Sequence, residues 1–195
     1  MEVCPVGRIT RRGFVIAAAI SGGSLLLTAC GGSSTEHGSD HGSSTSGEYD
    51  RDFIDGMVPH HQAAIDMAKV AQRKAEHAEL KQLADAIVAD QDGEIAQMKA
   101  WRKAWYGSDE IAPGMGGHQM GGMDTDLAQL EQAAPFDKAF IAAMIPHHQS
   151  AIDMAREAQT KATHQEIRDL AGRIITAQQR EIDQMRAWRD RWYPG

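Results

Sequence analysis

Cysteine is almost missing from this chain: Cys4 and Cys30 are the only two in 195 residues. One lies in an N-terminal leader and the other closes it. No disulfide framework, thiolate metal site or cysteine nucleophile is left for a folded domain. Basic charge is short as well, with 20 Lys and Arg against 27 Asp and Glu. Taking away the leader, with its Arg8, Arg11, Arg12 and Glu2, leaves 17 basic and 26 acidic residues, a net charge of −9. A surface of that sign excludes nucleic acid as partner, because phosphate binding needs a basic face. No segment alternates with the period of a strand. The one long apolar run, from Phe14 to Ala29, is too short and too abruptly ended for a membrane span.

That run closes on Leu27-Thr28-Ala29-Cys30-Gly31, which resembles the lipobox of bacterial lipoproteins, where signal cleavage leaves the cysteine as a lipidated N-terminus. Thr10-Arg11-Arg12-Gly13-Phe14-Val15 resembles the twin-arginine export signal; an ordinary secretory leader with a chance arginine pair is the alternative. The expected organisation is a signal peptide over residues 1–29 and a Gly/Ser/Thr-rich tether over 30–48. A helical domain follows over 49–195. The protein is then exported and held to the outer face of the cell membrane by lipid on Cys30. His37 and His41 read as part of the tether.

What the domain does have is a repeat. Met57-Val58-Pro59-His60-His61-Gln62-Ala63-Ala64-Ile65-Asp66-Met67-Ala68 returns as Met144-Ile145-Pro146-His147-His148-Gln149-Ser150-Ala151-Ile152-Asp153-Met154-Ala155. The offset of 87 holds without a gap for about fifty positions: Phe53 with Phe140, His77 with His164, Gln91 with Gln178, Glu94 with Glu181, Met98 with Met185. Such self-similarity marks a duplicated unit. Repeat 1 covers 50–107, a connecting loop with a short helix 108–135, and repeat 2 136–195.

Each repeat reads as two helices. Asp50 is placed to cap the first, which runs to about Lys74 with one broad apolar face. Pro59 removes a hydrogen bond and is expected to kink or restart that helix just before the histidines. The second runs from about Glu76 to Tyr106 along the seam Leu80, Ala84, Ile87, Gln91, Glu94, Met98, Trp101, Trp105. In repeat 2 its start carries Thr163-His164-Gln165-Glu166, the pattern of a capping box. The short connection predicts antiparallel hairpins, and two of them an all-α four-helix bundle. A further short helix is expected over Thr125 to Ala133.

Counting from a turn near residue 75, His60 and His61 share a level with Gln91 and Glu94. Met57 and Met98 lie at that level or about a turn away. Each repeat thus gathers imidazole, carboxylate, amide and thioether groups inside an apolar core: His60, His61, Met57, Glu94 and Met98, then His147, His148, Met144, Glu181 and Met185. A buried carboxylate needs a partner. One reading is a purely structural His–Glu network. The other is a transition metal, with the thioethers favouring copper. Met115, His118, Met120 and Met123, interleaved with glycines, form a second candidate site in the connecting loop. Asp66 and Asp153 fall on the outer face, where salt bridges to Arg102 or Arg189 are expected. The four tryptophans, on seam positions, read as core packing.

Two copies of M-x-P-H-H-Q-x-A-I-D-M-A, each followed by a helix ending Q-x-x-E-I-x-Q-M-x-x-W, resemble a bacterial family of unknown function numbered 305. The resemblance spans about residues 50–194. It implies a ferritin-like four-helix fold, export and a copper-handling role, with Met57, His60, His61, Met144, His147 and His148 as functional positions. A ferritin-like fold also raises a di-iron oxidase. That site uses Glu-x-x-His pairs, whereas here Glu94 and Glu181 are followed by Gln97 and Gln184. The function expected is copper binding, as buffer, chaperone or tolerance factor. The alternative is a metal-free structural or partner-binding lipoprotein; no protein partner has a signature in the sequence.

Overall fold

A computed structural model describes residues 46–111 and 125–194. They form five helices: α1 Ser46–Lys74, α2 Ala78–Tyr106, α3 Leu127–Gln132, α4 Phe136–Lys161 and α5 Gln165–Trp192. No strand occurs among the described residues, and none of their helices is long and apolar enough to cross a membrane. Cys30, His37, His41 and the loop residues Met115, His118, Met120 and Met123 lie outside the described residues.

The helices pair as two antiparallel hairpins, α1/α2 and α4/α5. The hairpins meet along α1 and α4, and α3 rests on both; α2 and α5 barely touch. Two apolar clusters fill the interior, and each draws on both repeats. One joins the C-terminal half of α1 and the first half of α2 to Phe136, Phe140, Ile141 and Met144 of α4, with Met185 and Trp188 of α5. The other joins Phe53, Ile54, Met57 and Val58 of α1 to Ala151, Ala155 and Ala158 of α4 and the first half of α5. The start of α4 therefore lies beside the end of α1, so these helices are antiparallel and the inter-hairpin connection joins opposite ends of the bundle.

Several boundaries follow local chemistry. Gly107 ends α2 with φ 81°, the left-handed conformation that glycine adopts without strain. The Asp126 carboxylate caps α3, accepting from the N–H groups of Ala128 and Gln129 at 2.9 and 3.1 Å. The short helix is thus narrower than the span Thr125 to Ala133. Pro59 and Pro146 neither stop nor restart their helices, which run unbroken through both.

Two caps differ from expectation. Asp50 lies inside α1, which begins at Ser46, and its buried carboxylate reaches across to the other hairpin. It accepts from the N–H of Thr163 at 2.9 Å, the N–H of His164 at 2.9 Å and the His164 Nδ1–H at 2.5 Å, besides the Thr163 hydroxyl. Burial alone would raise its pKa, but these bonds outweigh burial and the net shift is downward. Thr163 consequently serves Asp50 instead of a capping box, and the N-cap of α5 is His164. Asp137 does the same for the first hairpin, accepting from the N–H groups of Glu76 and His77 and from His77 Nδ1–H at 2.9, 2.9 and 2.7 Å. Each of these histidines is sandwiched onto a tryptophan of the opposite hairpin, His77 on Trp192 and His164 on Trp105, both at 3.7 Å between ring centroids. Trp188 is core; Trp101, Trp105 and Trp192 are only half-buried, and the last two are lids over these turns.

Candidate metal centre

Between the two apolar clusters lies a polar layer. Its members come from positions related by the repeat: His60, His61, Gln91 and Glu94 from the first hairpin, His147, His148, Gln178 and Glu181 from the second. All four imidazoles are at most 1% exposed. The central pair, His60 and His147, brings ring centroids within 3.9 Å at a tilt of 44°. Adjacent histidines diverge as a helix requires, with centroids 6.5 Å apart for His60/His61 and 6.3 Å for His147/His148. The structure puts the groups of both repeats in one layer.

The outer histidines are tied to carboxylates. His61 Nε2–H donates to Glu94 at 2.7 Å and His148 Nε2–H to Glu181 at 2.6 Å. His60 Nε2 meets Ser150 Oγ at 2.6 Å. The Ser150 hydroxyl donates its own proton to the His147 carbonyl at 2.9 Å, so Oγ accepts from His60 and Nε2 carries the hydrogen. That fixes the tautomer and leaves His60 Nδ1 as a bare lone pair. Among the described residues, the Nδ1 atoms of His60, His61, His147 and His148, together with His147 Nε2, are buried without a partner. So are the carbonyl oxygens of Gln91 and Gln178. Burial, then the neighbouring imidazoles, pushes the pKa of His60 down to about 2 and that of His147 to about 3. Both are neutral near pH 7, the form that ligates a metal.

Met57 and Met98 are fully buried in one apolar cluster, Met144 and Met185 in the other. The layer therefore has a repeat's thioether pair on each side. Among the described residues no three His, Cys, Asp or Glu side chains converge closely enough to hold an ion. The donors are neighbours, not a finished cage.

Asp66 and Asp153 do not pair with Arg102 or Arg189. Asp66 accepts from Gln62 one turn before it, and Asp153 from Gln149 and Arg156. Arg102 is instead buried, donating from Nε and Nη2 to Asp55 at 2.5 and 3.0 Å, while Arg189 lies exposed on Asp190. Ser150 was not foreseen either. Its signal was available: against Ala63, it is a polar substitution within the repeated phrase itself.

Residues 50–189 match the family described as Domain of unknown function (DUF305). The chain belongs to the DUF305 family. Among solved structures it is similar to CopM in the Cu(II)-bound form, 47% identical with a TM-score of 0.68, covering 74% of this chain and 97% of that one. CopM in the Cu(I)-bound form is 43% identical at a TM-score of 0.66 over the same shares. A DUF305 protein from Streptomyces coelicolor is 25% identical at a TM-score of 0.64, covering 70% of this chain and 89% of that one. A curated relative, an uncharacterized protein of Acanthamoeba polyphaga mimivirus, is 37% identical over 51 residues, 26% of this chain. This DUF305 chain matches only 34% of that relative's length.

Proposed function

We propose that this protein is an exported copper-binding protein, tethered to the outer face of the membrane by lipid on Cys30, that buffers copper or passes it on. The observation that carries the reading is the set of five unpartnered imidazole nitrogens in the central layer, four of which bear a lone pair in the neutral rings. A buried acceptor without a donor is unfavourable, and a metal ion relieves that by taking the lone pair. Neutral imidazole suits copper, and the flanking thioethers favour its softer Cu(I) state. The solved CopM structures with Cu(I) and Cu(II) support the choice of metal. His60, His61, His147 and His148 are the proposed ligands, with Met57, Met144, Met98 and Met185 as thioether donors. Glu94 and Glu181 fix the outer imidazoles. Met115, His118, Met120 and Met123 form the proposed second site.

Titration of residues 31–195 with Cu(I), Cu(II), Zn(II) and Fe(II) against a competing chelator tests this. Tight copper binding is expected, and replacing all four layer histidines by Ala removes the core component while sparing the loop component. Unchanged stoichiometry and affinity in that variant sinks the core site. A second reading, a metal-free polar layer, is favoured by the lack of a preformed three-donor cluster among the described residues. It is upheld if no ion binds tightly. Two irons bound with oxidase activity would point to an enzyme instead; with one layer carboxylate per repeat, Glu94 and Glu181, the charge for such a centre is low.

A further inference from the structure

The side of the bundle where α2 and α5 fail to pack is open. Two depressions of about 590 and 510 Å³ lie there, walled by these two helices alone, and they merge at Asp90, Ala177 and Arg180. Glu94 lines one half of the groove and Glu181 the other. Their side chains are 19% and 14% exposed, whereas the His61 and His148 side chains bound to them are fully buried. The carboxylates are thus where the ionisable part of the layer meets water.

The walls differ in a way that packing does not explain. Gly93, mid-helix in α2, is a poor helix former, and a Cβ there would meet nothing within 4 Å. Its effect is to keep the wall low beside Glu94. At the corresponding place in α5 stands Arg180, exposed and without a hydrogen bond or ion pair among the described residues. The other groove arginines are engaged, Arg173 on Gln97 and Arg191 on Glu79. A local rule broken without a packing reason points to function.

We propose that the α2/α5 groove is the route by which a copper ion reaches the histidine layer, with Glu94 and Glu181 capturing it and Arg180 restraining it. The inference rests on the copper reading above. A carboxylate oxygen replaces a water of the incoming ion. As the ion moves inward, the His61 or His148 Nε2–H bond to that carboxylate re-forms, leaving Nδ1 as the donor nitrogen. No covalent bond breaks and no proton has to leave.

Aquated Ag(I), supplied as its nitrate, is a suitable probe, since CopM has been solved in a silver-bound form. Stopped-flow uptake would be measured in a background with Met115, His118, Met120 and Met123 replaced by Ala. Filling the groove through Gly93→Trp with Ala86→Trp, both at exposed positions, should slow association at least about tenfold at unchanged equilibrium affinity, because only access is altered. Glu94→Gln with Glu181→Gln should slow it about fivefold, and Arg180→Gln should speed it about threefold. Both charge effects should fade in 0.5 M sodium nitrate, as steering effects do. A filled, folded protein that takes up Ag(I) at the wild-type rate overturns the route while leaving the copper reading intact. Failure of the unsubstituted protein to bind Ag(I) or Cu(I) overturns both.

Discussion

Repeat 1 and repeat 2 agree in their end clasps and their His–Glu pairs, and part at one buried ion pair and one hydroxyl. Asp50 and Asp137, His77 and His164, Trp105 and Trp192 form the same reciprocal clasp at the two ends, and the His–Glu pairs coincide to 0.1 Å. The buried Asp55–Arg102 pair exists in the first hairpin only, since the position matching Asp55 is Ala142. Ser150 shields His60, while its counterpart Ala63 leaves His147 bare. A feature present in both copies is one that either hairpin needs. A feature in one copy alone is dispensable to the hairpin and has a more local use.

The largest break in this comparison should come from Asp55→Ala. Leaving Arg102 buried without its partner should lower stability by about 3–5 kcal/mol, read by urea denaturation, whereas Ala142→Gly at the matching place should lower it by about 1 kcal/mol. Equal losses would mean that the ion pair carries nothing. Acid should act next. His60 and His147 have folded pKa values of about 2 and 3 against 6.5 unfolded, so below pH 6.5 the unfolded chain binds more protons. Stability is full above about pH 6.5 and is lost as pH falls toward 3, at about 1.4 kcal/mol per pH unit for each imidazole. Replacing either by Gln should halve the slope, and an unchanged slope would show that neither histidine is the source.

Asp50→Ala and Asp137→Ala should each lower stability by about 2 kcal/mol by stripping the opposite turn of its acceptor. Their near-equality is the point, and a ratio above about threefold would break the symmetry of the clasps. The smallest effect sharpens the comparison by erasing it: Ala63→Ser should give His147 the partner that His60 has. The metal-free protein gains about 0.5–1 kcal/mol, and copper binding weakens because Nε2, held as an N–H donor to the new hydroxyl, can no longer ligate and only Nδ1 is left. Stronger copper binding in that variant would contradict the role given to the bare nitrogen.

Much of this was legible in the sequence because the repeat removes ambiguity. Helical periodicity placed the four long helices, and counting from the turn put His60, His61 and Glu94 at one level. The seam also showed Gln and Glu interrupting an apolar stripe at the same places in both copies. What was not legible depended on contacts between hairpins. Asp50 looked like a cap for its own helix because local sequence records only neighbours, yet its partner turn is 113 residues away. Arg102 looked like a surface cation since nothing local reveals Asp55, 47 residues away. The open side between α2 and α5 was invisible for the same reason: periodicity tells which face is apolar, not how far apart two helices stand.

The reciprocal clasps bear on how the molecule would respond to a protease. Asp50 holds the turn of the second hairpin and Asp137 that of the first, at opposite ends of the bundle. A cut in the connection between Ile111 and Thr125 would leave two peptides, each still gripping the other at both ends and sharing the histidine layer between them. The nicked protein should elute as one particle and come apart only when it unfolds.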